Sequence, residues 1–314
     1  MVKIGIVGIG KVGATLAFAT LMAGLVEEMV LVDTDVRRVE GEALDLLHGT
    51  SFTRHTRIRV GDYGDLNNSK IVVITAGVAQ KLGESRFDLM ERNVRVIKNI
   101  VIKIAKYAPN SILLMVTNPV DVLTYVAWKV SRFPFNRVMG SGTVLDTARF
   151  RVLIARHCRV SPKSVHAYII GEHGDSELAV WSKAVIGGVP IKDMCNTCSR
   201  KDCSSNALEN IFEKTRKAAY EIIERKGATQ YAVALAVVDI MKAIIEDEKR
   251  VLTVSTLVDT GGKEIFLSLP AVVGSSGVEK VLKLKLSEDE EEALKESMKV
   301  ISENIEKAER VLKV

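Results

Sequence analysis

Short runs of β-branched and aliphatic residues, without polar alternation, recur through the first 140 positions: Lys3 to Val7, Met29 to Asp33, Ile71 to Thr75 and Ile112 to Thr117. A strand that is apolar on both faces must be covered on both, as in a parallel sheet flanked by helices. Between these runs, Lys11 to Leu25, Arg37 to Leu47 and Leu89 to Tyr107 carry apolar residues at helical spacing. The alternation of strand and helix predicts an α/β fold built on a doubly wound parallel sheet.

The pattern changes in the second half. A strand-like VHAYII leads into GEHGD, and helical segments follow over Asn206 to Arg225 and Ala228 to Asp247. Strand candidates stand at Val251 to Val258 and Ile265 to Val273, and a Lys/Glu-rich helix from about Glu288, capped by Ser287, closes the chain. This mixture predicts an α+β domain built onto the first. The division expected is 1–142 and 143–314, with the boundary near Gly140 to Thr143.

Composition narrows the class without naming a function. The 314 residues are 47% hydrophobic, enough for a core of about two ordinary domains. The net charge of +5 is spread along the chain and forms no basic stripe, so no nucleic-acid partner is expected. No run approaches the ~18 uninterrupted apolar residues of a membrane span, and MVKIGIVGIG lacks the order of a signal peptide. The expectation is a cytoplasmic protein with no membrane partner. Cys195, Cys198 and Cys203 form C-x2-C-x4-C in a polar loop. No fourth ligand stands at a convincing spacing, so free thiols or a local disulfide are expected, and no metal.

Gly8, Gly10 and Gly13 form G-x-G-x-x-G between the first strand and the first helix. Such glycines permit a tight turn and close approach of backbone to a pyrophosphate, which the helix N-terminus attracts. Asp33 ends the second strand about twenty residues on, where a carboxylate can accept bonds from both ribose hydroxyls. A 2′-phosphate would meet a negative charge there, so NAD is favoured over NADP.

His173 stands in Gly171-Glu172-His173-Gly174-Asp175, between glycines that let the backbone turn and leave the imidazole open. Histidine is the side chain best able to pass a proton near neutral pH. Asp146 and Arg149, three apart in TVLDTARFRVLIARH, share one helix face. Their spacing leaves two readings open. They form a surface ion pair, or the carboxylate fixes the tautomer of a distant imidazole while the guanidinium grips a carboxylate. A polar, glycine-bounded segment from Gly77 to Arg86, containing Gln80 and Gly83, follows the strand at Ile71 to Thr75. It reads as a lid over the crevice where such sheets bind ligands, or as an ordinary loop.

Taken together, GIVGIGKVG, Asp33, AGVAQKLGESR, VTNPVDVLTY, GSGTVLDTARFR and GEHGDSE are similar, in order and nearly end to end, to the lactate/malate dehydrogenase family. The resemblance implies a Rossmann domain followed by an α+β catalytic domain, in a homodimer or, as expected here, a homotetramer. It implies reversible hydride transfer between NADH and a small 2-oxo acid. In that frame His173 is the proton donor in reduction and Asp146 orients it. Arg149 holds the substrate carboxylate, and Arg86 closes over the substrate to polarise its carbonyl. Asn118 binds near the nicotinamide and substrate, and Thr229 walls the substrate's methyl side. Gln80 occupies the position where an arginine pairs with the second carboxylate of malate. A neutral amide there predicts pyruvate and L-lactate as the substrate pair, with oxaloacetate and malate as the alternative. A protein that binds NAD without turnover is a further alternative. Arg151 and His166 match positions that bind fructose 1,6-bisphosphate in many bacterial relatives, although relatives without this regulation carry them too.

Overall fold

The structure, a computed structural model, describes residues 2–78, 86–197 and 205–313. Its first half alternates β1 (Lys3–Val7), α1 (Lys11–Ala23), β2 (Glu28–Val32), α2 (Val36–Gly49), β3 (Arg57–Val60), β4 (Ile71–Ile74), α3 (Arg86–Tyr107), β5 (Ile112–Met115), α4 (Val120–Ser131) and β6 (Val138–Gly140). Helix α5 (Val144–Cys158) opens the second half. It is followed by the short strands β7 (Val165–His166), β8 (Ile169–Ile170), β9 (Leu178–Ala179), β10 (Val185–Ile186) and β11 (Val189–Pro190). Then come α6 (Ile191–Thr197), α7 (Ser205–Lys226), α8 (Tyr231–Ile245), β12 (Arg250–Asp259), β13 (Glu264–Gly274), β14 (Gly277–Val281) and α9 (Glu288–Lys313).

Strands β1 to β6 form a parallel sheet in the order β6-β5-β4-β1-β2-β3. All four residues of β4 are wholly buried. Ile71 and Val73 face the cluster built with Leu16 and Leu21 of α1, while Val72 and Ile74 face Val94, Ile97 and Val101 of α3. This two-sided covering is why the central strands are apolar at every position. The strands β3 and β6 are absent from the pattern of the sequence. β3 reads RIRV, an edge strand with arginines on its open side, and β6 has only three residues.

The sheet does not end at the expected boundary. β12 pairs antiparallel with β6 at Ser255 and Gly140, and β13 and β14 follow, giving nine strands in one sheet among the described residues. Helix α9 then returns to pack on α3 and α4. It begins as expected, with Ser287 and Glu290 exchanging side-chain to backbone bonds in a capping box. The helical pattern from Ala228 starts three residues early, because Gly227 turns with φ +80° and the chain to Gln230 is not helical. Among the described residues, no helix is long and apolar enough to cross a membrane.

Candidate active site

The C-terminal ends of β1, β2 and β4 open onto a cleft of about 680 Å³ lined by Gly8, Gly10, Asp33, Arg38 and Gly77, among others. Gly8 has φ +99°, and a Cβ there would lie 2.3 Å from the backbone nitrogen of Ala76. At Gly13 a Cβ would lie 1.9 Å from the Gly8 carbonyl oxygen. These two positions therefore admit only hydrogen. Gly10 differs, because a Cβ there would meet nothing within 4 Å and would project into open space. Gly10 is also the N-cap of α1, whose end no side chain caps and whose first turn holds no acid. Unspent N–H groups facing an open hollow are what a pyrophosphate requires, so the residues present fit a dinucleotide.

Asp33 is fastened to this turn. Its Oδ2 accepts from Ile9 N at 2.5 Å and from Arg38 at 3.1 Å, and its Oδ1 accepts from Asp35 N at 3.0 Å. Burial would raise its pKa, but the two backbone donors and Arg38 outweigh that and hold the carboxyl below its usual value. A ribose diol would compete at Asp33 with Arg38, whose side chain is half exposed. Sequence reasoning passed over Arg38, which only the turn into α2 brings back to Asp33.

Asp146, in the first turn of α5, is buried and bridges two cations. Its Oδ2 lies 2.7 Å from Nδ1 of His173, and its Oδ1 accepts from Arg149 at 2.8 Å. The pair with Arg149 is therefore not a surface ion pair. Asp146 is held below the usual carboxylate range: burial opposes this, but His173 and Arg149 prevail. His173 shows the reverse balance. Burial would lower its pKa, whereas the charge of Asp146 and the bond to it push the imidazole up to about 9.

Three elements hold the histidine loop. Gly171 exchanges backbone bonds of 2.9 Å with Ser268 of β13, and Glu172 N donates to Ser297 of α9 at 2.7 Å. His173 N donates to Asp121 of α4 at 2.8 Å. Asp121 is buried, which pushes it up to about 6 against the lowering influence of the nearby Ser255 hydroxyl and the bond from His173 N. It lies inside VTNPVDVLTY but was not singled out, since nothing in the sequence says that α4 passes beneath the histidine. Asn118 stands three positions before it, and the Asn118 carbonyl accepts from Asn93 of α3 at 3.1 Å. The site at the end of β5 is thereby joined to His173 through a few residues of chain.

The other expected positions fall as follows. Thr229 lies half-buried in the link from α7 to α8, on a different element from the trio. Arg86 is the first residue of α3, but its side chain lies outside the described residues, as do Gln80, Gly83 and the rest of the expected lid from 79 to 85. Cys198 and Cys203 and the side chain of Cys195 lie outside them too. Arg151 donates to the Ala167 carbonyl at 2.9 Å and stacks over Tyr168, and His166 is exposed on β7.

Residues 2–140 match the family model for the lactate/malate dehydrogenase NAD binding domain, and residues 143–312 match the α/β C-terminal domain of the same family. The chain belongs to the lactate/malate dehydrogenase family. It is 50% identical to an L-lactate dehydrogenase of Pseudothermotoga lettingae over 308 residues, which is 98% of this chain and 97% of that protein. The identity to an L-lactate dehydrogenase of Kosmotoga olearia is 52% over 308 residues, 97% of this chain and 95% of that one. Among solved structures, a lactate dehydrogenase from a Medee basin deep-sea metagenome library superposes with a TM-score of 0.94. The two are 46% identical, and the match covers 98% of this chain and 99% of the other. A minor L-lactate dehydrogenase from Enterococcus mundtii, in a ligand-bound form, gives 0.93 at 38% identity over 97% of this chain and 98% of that one. The family's first domain is an NAD-binding one, which agrees with the open cradle at Gly10 and the anionic Asp33.

Proposed function

We propose that the chain reduces pyruvate to L-lactate with NADH and catalyses the reverse reaction. The observation that carries this reading is the buried Asp146, bonded on one side to the His173 imidazole and on the other to the Arg149 guanidinium. The glycine turn and Asp33 would hold NADH, which would supply the hydride for the carbonyl carbon. Asp146 fixes the His173 tautomer so that Nε2 faces outward, where it gives a proton to the carbonyl oxygen or takes one back. Arg149 leaves Asp146 in part to grip the substrate carboxylate, which its planar fork fits better than an ammonium would. Arg86, at the start of α3, stabilises charge on the carbonyl oxygen, Asn118 orients the reacting groups, and Thr229 bounds the methyl side. We assign residues 1–142 to the cofactor and 143–314 to the substrate.

The assay is the loss of NADH absorbance with pyruvate and with oxaloacetate. Pyruvate is expected to be the better substrate by kcat/KM; a ratio favouring oxaloacetate overturns the substrate assignment, and NADH binding without turnover of either overturns the enzyme reading. The pH dependence follows from the raised imidazole. Reduction needs the protonated form, so the imidazole's own contribution to kcat/KM for pyruvate holds to about pH 8 and falls above about 9. Lactate oxidation needs the neutral form, so the same group's contribution to that direction rises across the interval.

The proposal extends to assembly and regulation. Phe18 and Met22 of α1, Leu44 and Leu47 of α2, and Tyr231 and Leu235 of α8 are large apolar side chains left exposed on helices that adjoin one another. Apolar area of this kind supports a homo-oligomer, a tetramer by our reading; the cytoplasm is our proposal for its location. Arg151 lines a cleft of about 490 Å³ together with Lys163, Arg250 and Asp239; Asp239 pairs with Arg250, so Arg151 and Lys163 are the cations that support an anionic effector. Millimolar fructose 1,6-bisphosphate is expected to lower the pyruvate KM; unchanged kinetics would remove the effector from the proposal.

A further inference from the structure

Glu177 precedes β9 and is 6% exposed, and its Oε1 has no hydrogen-bond partner among the described residues. A buried carboxylate oxygen without a donor is costly when charged and far less so when protonated. The neighbouring Asp146 makes the charged form harder still, against the pull of the cations nearby. Ligand-type atoms of Asp146, His173 and Glu177 all lie within 4.8 Å of one another, so a second carboxylate stands against one that is already ionised. The cations nearby are engaged elsewhere: His173 and Arg149 pair with Asp146, and Arg216 of α7 pairs with Glu213 and reaches the Asp175 carbonyl. The same three groups could surround a cation, but Asp146 is already joined to the His173 imidazole through one oxygen and to Arg149 through the other.

We propose that Glu177 is a positioning residue that works as a neutral acid, and must hold its proton for the substrate carboxylate to be accepted beside Arg149. Substrate binding is then linked to the protonation of two groups, Glu177 and His173. Ionised Glu177 would place another negative charge next to the incoming anion, and it would draw Arg149 and His173 away from their work. Burial, followed by the charge of Asp146, pushes the Glu177 carboxyl up to about 8, against the pull of His173, Arg149 and Arg216. The switch therefore falls within an accessible pH range. Glu177 was visible in GEHGDSE, but sequence alone could not tell a buried acid from a solvated one.

This inference rests on the pyruvate reading, and the test separates the two. Oxamate, a non-reducible amide isostere of pyruvate, is titrated into the enzyme–NADH complex from pH 7 to 10, for wild type and Glu177→Gln. In the wild type the alkaline limb of log Kd against pH approaches a slope of two, the number of protons linked to binding. In E177Q it stops at one. From pH 7 to pH 9 the wild type loses about tenfold more affinity than the variant, as its competent fraction shrinks. Proton uptake on adding oxamate to the wild type alone, read with an indicator dye, exceeds one per site above pH 9 and serves even if E177Q does not fold. A wild-type slope and uptake limited to one proton, with pyruvate turned over normally, overturns the role of Glu177 and leaves the function standing. Absence of both oxamate binding and pyruvate turnover overturns the function, and this inference with it.

Discussion

Replacing His173 with Gln is expected to leave a folded protein that binds NADH and reduces pyruvate about 10²- to 10⁴-fold more slowly, the range that a positioned acid or base contributes. Glutamine can occupy the space and accept or donate a hydrogen bond, but it cannot deliver a proton near neutral pH. The fold should survive, because Asp146 keeps Arg149 as a partner and the backbone bond from residue 173 to Asp121 does not depend on the side chain. The measurements are kcat/KM at pH 7, NADH affinity and Tm. A loss of less than tenfold would show that another group moves the proton. Loss of NADH binding or a collapsed Tm would make the variant uninformative about chemistry, and for that case Asp146→Asn supplies an independent test. That substitution keeps the shape but removes the charge that lifts the imidazole, so the alkaline limit of pyruvate reduction should fall to lower pH.

The second large effect concerns which acid is accepted. Gln80→Arg should swing the ratio of kcat/KM values for pyruvate and oxaloacetate by about 10²- to 10⁴-fold towards oxaloacetate. A second carboxylate closed into the site without a partner costs several kcal/mol, and each 1.4 kcal/mol is a factor of ten. An arginine removes that cost for oxaloacetate and imposes the converse one for pyruvate, whose methyl group cannot pair with it. Assays of both substrates with the variant decide the matter. An unchanged ratio would mean that position 80 does not reach the substrate.

The sequence made some levels of this molecule readable and hid others for physical reasons. Strands such as β4, buried on both faces, write their environment into every residue, so the parallel core was legible. β3 was not, because an edge strand with arginines facing out shows no uninterrupted apolar run. The junction of β6 with β12 was illegible too, since it rests on pairing between residues more than a hundred positions apart. In the site, glycines and the strand-ending Asp33 carried their own local signal. The link between Asp146 and His173 did not: a spacing of three on a helix means the same whether the helix faces water or a distant loop. Asp121 and Glu177 escaped notice for a related reason. A carboxylate becomes chemically unusual only when folding removes its water, and the residue letter does not record that.

The C-terminal helix α9 packs on α3 and α4, and its Ser297 holds the backbone of Glu172 next to His173. Recombination between relatives is constrained as a result. A chimera joined near residue 142 would bring in a foreign terminal helix that must fit the grooves of a partner half with which it never co-evolved. Any misfit there would be passed, through one serine hydroxyl, to the neighbour of the proton-transferring histidine. Exchanges that carry α3, α4 and α9 as one block avoid this, and so the heritable unit of this enzyme is not contiguous in the gene.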